Sequence, residues 1–202
     1  MAIDKIHLAV LISGSGSNLQ ALIDACANPD YPAQIDVVIS NVSDAFGLER
    51  AKKAGIPTAI VDHKDYSGRE AFEAAIAEEL AKYKIDLVCL AGFMRILTPG
   101  FVDKWEGKMI NTHPALLPKH GGKGMHGEHV HKAVLAAGDS ESGVSIHYVI
   151  PEVDRGEILL QRRVAVKPGD TAESLAKRVL TEEHVAYVEA VRMIAEIHQK
   201  RA

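Results

Sequence analysis

The first hundred residues alternate short apolar, β-branched runs with stretches whose apolar positions recur every three or four residues. Ile6–Ile12 reads as a strand, and residues 18–27 (NLQALIDACA) carry apolar side chains at helical spacing. A second strand is expected at 35–39, then a helix at 46–54. That helix stops at Gly55, and Pro57 excludes its continuation. Residues 58–61 form a third short strand, 69–83 a longer amphipathic helix, and Leu87–Leu90 a wholly apolar strand of the kind covered on both faces. Strands that alternate with helices predict a parallel sheet.

Beyond Met109 and Ile110 the pattern changes. Residues 114–127 are rich in glycine and histidine, lack apolar periodicity and read as a loop. A loop of that length inside a compact domain is usually functional. A short helix follows at 129–137, then two extended segments at 144–150 and 158–166 joined by PEVDRGE. A long helix at 171–199 opens on Thr171, with Glu173 and Ser174 in its first turn. No repeat or linker interrupts the chain. The expected architecture is α/β, one domain over 1–202, with a mostly parallel twisted sheet and helices on both faces.

Composition narrows the classes of partner. Hydrophobic residues at 47% and charged residues at 25% exclude extended disorder. A net charge of −4 gives no general attraction for nucleic acid or a membrane surface, so a phosphorylated ligand would need a local pocket. The start of the chain reads as a first strand rather than a signal peptide. No segment reaches the roughly 18 uninterrupted apolar residues of a membrane span, and a cytoplasmic location is expected. Cys26 and Cys89 lie in apolar segments without a C-x-x-C pairing and read as buried free thiols.

Three stretches can carry chemistry. Ser13-Gly14-Ser15-Gly16-Ser17-Asn18 follows a strand and opens a helix, where backbone N–H groups and hydroxyls can surround a phosphate. Leu19 stands where a dinucleotide fingerprint needs glycine, and the Gly-Lys-Ser/Thr of a P-loop is missing, so a phosphate monoester fits better. A tight turn without a ligand would look the same. In Met109-Ile110-Asn111-Thr112-His113-Pro114, Asn111 and His113 lie two apart at a strand end and face one side. An amide donor and an imidazole suit a developing oxyanion and a proton transfer, although a structural Asn-His pair has the same spacing. Glu152-Val153-Asp154-Arg155-Gly156 is a solvated turn unless Asp154 folds back on His113, which spacing leaves open. His126, His129 and His131 lack an acid or cysteine partner at ligand spacing, and no metal is expected.

With LAGFMRILTP, SGVSIHYV and VDRGEILLQ, these stretches resemble the folate-dependent phosphoribosylglycinamide formyltransferase family over nearly the whole chain. The resemblance implies a Rossmann-like formyltransferase fold and transfer of a formyl group from 10-formyltetrahydrofolate, as co-substrate, to the amine of glycinamide ribonucleotide in purine synthesis. It places Asn111, His113 and Asp154 at the reacting carbon, with Asp154 raising the His113 pKa. Gly16, Ser17 and Asn18 would hold the phosphate, and Glu183 the ribose hydroxyls. The folate would lie against Met94, Arg95, Ile96 and Leu97, its pterin on the backbone of Ile150, Pro151, Glu152 and Val153 and its acidic tail near Arg69. The phosphate-binding half would be 1–100, and the catalytic and folate-binding half 101–202. Monomer and homodimer both remain open. The segment between Lys119 and His131 is longer and richer in glycine and histidine than is usual for the family, and reads as a lid. Other formyl-folate enzymes, such as a formyltetrahydrofolate hydrolase or methionyl-tRNA formyltransferase, carry an extra domain for which 202 residues leave no room. A non-catalytic binding module has no need of the trio.

Overall fold

The computed structural model describes residues 4–200. Seven strands form one sheet in the order β3-β2-β1-β4-β5-β6-β7. They are β1 (Ile6–Ile12), β2 (Ala33–Ser40), β3 (Thr58–Ile60), β4 (Leu87–Leu90), β5 (Met109–His113), β6 (Glu141–Tyr148) and β7 (Ile158–Ala165). The first five are parallel, whereas β6 runs antiparallel to β5 and β7 antiparallel to β6.

Alternating side chains send each central strand into two cores. From β1, Leu8, Val10 and Ile12 enter a core beneath α1 (Ser17–Cys26), α2 (Phe46–Lys53) and α6 (Ala172–Gln199). Ala9 and Leu11 enter another, beneath α3 (Arg69–Leu80) and α4 (Pro99–Val102). This explains why β1 from Leu8 onward and all of β4 are apolar instead of alternating. Each fully buried Leu or Ile stabilises the fold by about 1.5–3 kcal/mol. The last helix starts where expected: Thr171 Oγ1 accepts from Ser174 N at 3.1 Å and Ser174 Oγ accepts from Thr171 N at 3.0 Å.

Several boundaries differ from expectation for local reasons. The helix expected at 69–83 ends at Leu80, and residues 81–82 form a turn. Strand β6 begins at Glu141, three residues early, because Glu141, Ser142 and Gly143 pair with β7 without any apolar signature. The short α4 and two 3-10 turns, at 63–65 and 103–105, have too few residues for a period to register. The helix expected at 129–137 is α5 (Glu128–Ala136). Residues 91–97, which their apolar content alone would make a strand, leave the ladder after β4.

Topology locates the site. Successive strands run outward from β1 in both directions, toward β3 on one side and β4 on the other. The turns after β1 and β4 therefore diverge and leave a crevice at their carboxyl ends, the usual ligand position in such sheets. SGSGSN follows β1 and AGFM follows β4, while β5 ends in Asn111, Thr112 and His113 alongside.

Candidate active site

The turn after β1 is held open from two sides. Ser13 Oγ accepts from Met94 N at 2.7 Å and donates to Asn41 Oδ1 at 2.5 Å, tying the two crevice turns to the end of β2. Gly16 has φ 69°, and a Cβ there would stand 2.6 Å from Gly47 Cα, so only glycine fits beside the start of α2. Gly47 N donates to Gly14 O at 3.0 Å and Arg50 Nε to Ser15 O at 2.8 Å. Between the turns lies a cleft of about 230 Å³ lined by residues 13–18 with Ala91, Gly92 and Met94. Helix α1 begins at Ser17 without a side-chain cap, so its first N–H groups face this cleft with the positive end of the helix dipole behind them.

Glu183 of α6 reaches this turn from below. It is 8% exposed, and Oε1 accepts from Asn18 Nδ2 at 3.0 Å and Thr112 Oγ1 at 2.9 Å. Burial pushes its pKa up, against the pull of those two donors. Adjacent Glu182 differs entirely, because it accepts from Arg162 Nε at 2.6 Å. The two acids look equivalent in sequence and are separated by helix phase.

The trio is brought together. His113 Nδ1 lies 3.4 Å from Asp154 Oδ2, with the side chains 4% and 8% exposed. Asp154 occupies the turn between β6 and β7 with φ 56°, and Oδ2 accepts from Gly122 N at 2.9 Å. Pairing of β5 with β6 sets Asn111 opposite His147, whose Nε2 is 3.4 Å from Asn111 Nδ2 and 3.6 Å from Asp154 Oδ1. His147 Nδ1 donates to Tyr148 O at 2.9 Å. His147 was missed from the sequence; it lies in SGVSIHYV, and only the strand register reveals what it faces. On its other side, His113 Nε2 is 2.8 Å from His120 O, a carbonyl that can only accept. The neutral ring therefore carries its proton on Nε2 and turns a bare Nδ1 toward Asp154.

Asp154 pushes the His113 pKa up, as expected, but burial outweighs it. Burial is the largest influence on His113 and leaves its pKa below 6.5, although Asp154 and the His120 carbonyl push it up. Asp154 opposes the shift without reversing it. Burial also works to raise the Asp154 pKa, but His147, the Gly122 N–H and the charge of His113 outweigh it and hold the carboxyl below its ordinary value. The resting pair is an ionised acid beside a neutral imidazole.

The residues expected around the folate are divided. Met94 and Ile96 are 58% and 47% exposed on the turn after β4, where Arg95 is exposed as well. Leu97 turns inward, 7% exposed, and packs into the core under α3 and α4. Ile150 and Val153 are half-buried and Pro151 and Glu152 exposed in the turn that carries Asp154, and Arg69 is exposed at the start of α3. His126 and His129 are exposed, whereas His131 is 5% exposed with Nδ1 unpartnered. Among the described residues, no three His, Cys, Asp or Glu side chains gather to hold a metal ion, and no helix is long and apolar enough to cross a membrane.

The pattern of the formyl transferase family matches residues 6–191. The chain belongs to the formyl transferase family. Within it, the phosphoribosylglycinamide formyltransferase of Escherichia coli is 45% identical over 182 residues, 90% of this chain and 84% of that protein. The trifunctional purine biosynthetic protein adenosine-3 of Bos taurus is 50% identical over 191 residues, 95% of this chain and 18% of that protein. Across such trifunctional relatives the chain spans only 14% to 19% of their length. Glycinamide ribonucleotide transformylase 1 from Symbiobacterium toebii superposes with a TM-score of 0.90 at 44% identity, covering 96% of this chain and 89% of that one. The 28-residue α6 carries Glu183 to Asn18 at the turn after β1 and Tyr187 beneath β4 and β5.

Proposed function

We propose that this protein transfers the formyl group of 10-formyltetrahydrofolate to the amine of 5-phosphoribosylglycinamide in purine synthesis. The observation that carries the reading is the buried contact of His113 Nδ1 with Asp154 Oδ2 at 3.4 Å, beside a glycine-serine turn shaped for a phosphate.

On this reading residues 1–100 supply the phosphate-binding half. The Gly16, Ser17 and Asn18 backbone receives the phosphate, and Glu183 accepts hydrogen bonds from the ribose hydroxyls. Residues 101–202 supply the catalytic half. Attack of the amine on the formyl carbon forms a C–N bond and places negative charge on the formyl oxygen, to which Asn111 Nδ2 donates. His113 Nδ1 takes the proton released by the attacking nitrogen, directly or through a water. Asp154 stabilises the resulting imidazolium, whose other N–H stays on the His120 carbonyl. The same proton then passes to the departing folate nitrogen as its bond to the formyl carbon breaks. Met94 and Ile96 give apolar walls to a flat heteroaromatic ring, and the backbone at 150–153 gives fixed polar partners. Arg69 meets the acidic tail.

Two supports come from the relatives: the Escherichia coli protein is named for this transfer, and the trifunctional proteins for purine biosynthesis. The test follows deformylation of 10-formyltetrahydrofolate by the purified protein, with and without glycinamide ribonucleotide. Turnover that requires the ribonucleotide is expected; deformylation of equal rate without it would identify a hydrolase and overturn the proposal.

A further inference from the structure

The loop at 117–127 lies on the catalytic pair through its backbone. His120 O accepts from His113 Nε2 at 2.8 Å, and two residues later Gly122 N donates to Asp154 Oδ2 at 2.9 Å. Between them, a Cβ on Gly121 would stand 3.2 Å from Asp154 Cβ and 2.5 Å from Leu117 Cδ2, so the backbone is pressed against the acid. The carbonyl and the N–H are thus fixed to opposite sides of one His-Asp contact.

What fixes the loop lies outside the site. His120 has φ 53°, uncommon for a residue with a side chain. Its ring points away from the reacting centre, and Nε2 lies 2.6 Å from Asp139 Oδ2. The other oxygen of Asp139 accepts from Lys119 Nζ at 2.9 Å. Asp139 sits between α5 and β6, where its N–H donates to Val134 O at 3.3 Å. One carboxylate on a rigid corner therefore holds two successive loop side chains. His120 is part-buried with Asp139, while Lys119 is 70% exposed, so the imidazole arm is the better-ordered link.

We propose that Asp139 is a positioning residue for the catalytic imidazole: by gripping His120 it keeps the His120 carbonyl on His113 Nε2 and so fixes the tautomer that leaves Nδ1 free to accept a proton. An imidazole in water exchanges its proton between the two nitrogens, and only the Nε2–H form presents a base on the side of Asp154 and Asn111. A carbonyl anchored by a remote acid selects that form before substrate arrives, as hydrogen-bonded acids behind other functional imidazoles do. This rests on the formyl-transfer reading for its effect on rate, but the tautomer exists without it.

The experiment uses the full chain labelled with 15N. Histidine side-chain spectra without substrates, with the His113 signals identified by their loss in His113→Asn, report which nitrogen carries the proton. The wild-type protein is expected to hold His113 as Nε2–H. Asp139→Ala is expected to give a mixture of tautomers and to lower kcat about tenfold, with both KM values within about threefold. Asp139→Asn, which still accepts from His120, should recover most of both, and Lys119→Met should change neither. Unchanged tautomer and kcat in Asp139→Ala would overturn the proposal. So would a fall in kcat that follows thermal stability while the tautomer stays fixed. If Asp139→Ala does not fold, His120→Phe cuts the same link from the other end and is read the same way. A tautomer change in a protein with no transfer activity would uphold the link and sink the functional reading alone.

Discussion

Replacing Glu183 by Gln should make the protein more stable and a poorer enzyme. The carboxylate is 8% exposed, and no Lys or Arg lies within ion-pair distance among the described residues. Among the described residues its compensation comes from Asn18 Nδ2 and Thr112 Oγ1, both on Oε1. Gln keeps the accepting oxygen and removes the buried charge. A buried ion costs several kcal/mol, and two charge-assisted hydrogen bonds return about 1.5–3 each, so the net gain from neutralisation is on the order of 1–2 kcal/mol. For a chain of this size that is a rise in Tm of roughly 3–6 °C. The gain has a defined pH dependence. Because the folded pKa lies above the ordinary 4.5, the folded state holds the proton when the unfolded state has lost it, and wild-type stability falls as pH rises through that window. The two proteins should therefore melt together near pH 4 and diverge above it. Binding moves the other way: ribose hydroxyls lose an anionic acceptor, and KM for the ribonucleotide should rise about tenfold or more while KM for the folate is unchanged. Calorimetry across pH and steady-state kinetics check both halves. A variant that melts lower than wild type at pH 8, or that keeps the wild-type KM, would refute the reasoning.

Arg50→Met should raise KM for the ribonucleotide about tenfold with little change in kcat, because Arg50 bonds Ser15 O and Gln20 Oε1 and enters no ion pair among the described residues, leaving its charge beside the phosphate turn. Gly16→Ala should abolish measurable binding of the ribonucleotide by titration calorimetry, since its Cβ would collide with Gly47 Cα and the backbone φ of 69° is strained for alanine. The lowered pKa of His113 predicts that the acid limb of the rate has its midpoint below pH 6.5, where the imidazole gains its proton; a midpoint above pH 7 would contradict it. His113 and His131 both have folded pKa values below 6.5, so they bind fewer protons folded than unfolded, and stability should decline as pH falls from 6.5 through those values.

Much of the architecture was legible because the signals are local. The apolar β1 and β4, the helical phase of α1 and α3, Gly55 after α2 and the Thr171–Ser174 cap each follow from a few neighbouring residues. The site was legible only in pieces. Residues 13–18 and the Asn111-x-His113 spacing mark strand ends, but whether Asp154 returns to His113 depends on β6 and β7 folding back antiparallel, which no local pattern encodes. His147 escaped notice for the same reason. The family resemblance placed Leu97 beside the folate with Met94 and Ile96, yet the chain leaves the ladder there and turns its side chain into the core. The sign of the His113 shift needed the burial of the ring, and burial is a property of the assembled fold.

Asp154→Asn provides the most direct test, because Asn tolerates the φ of 56° and retains an oxygen for the Gly122 N–H while losing the charge that faces His113. Single-turnover formyl transfer at pH 7.5 from saturating 10-formyltetrahydrofolate to glycinamide ribonucleotide should slow by about 10²- to 10⁴-fold, with Tm close to wild type. A rate within threefold of wild type would mean that the acid-imidazole contact does not carry the chemistry.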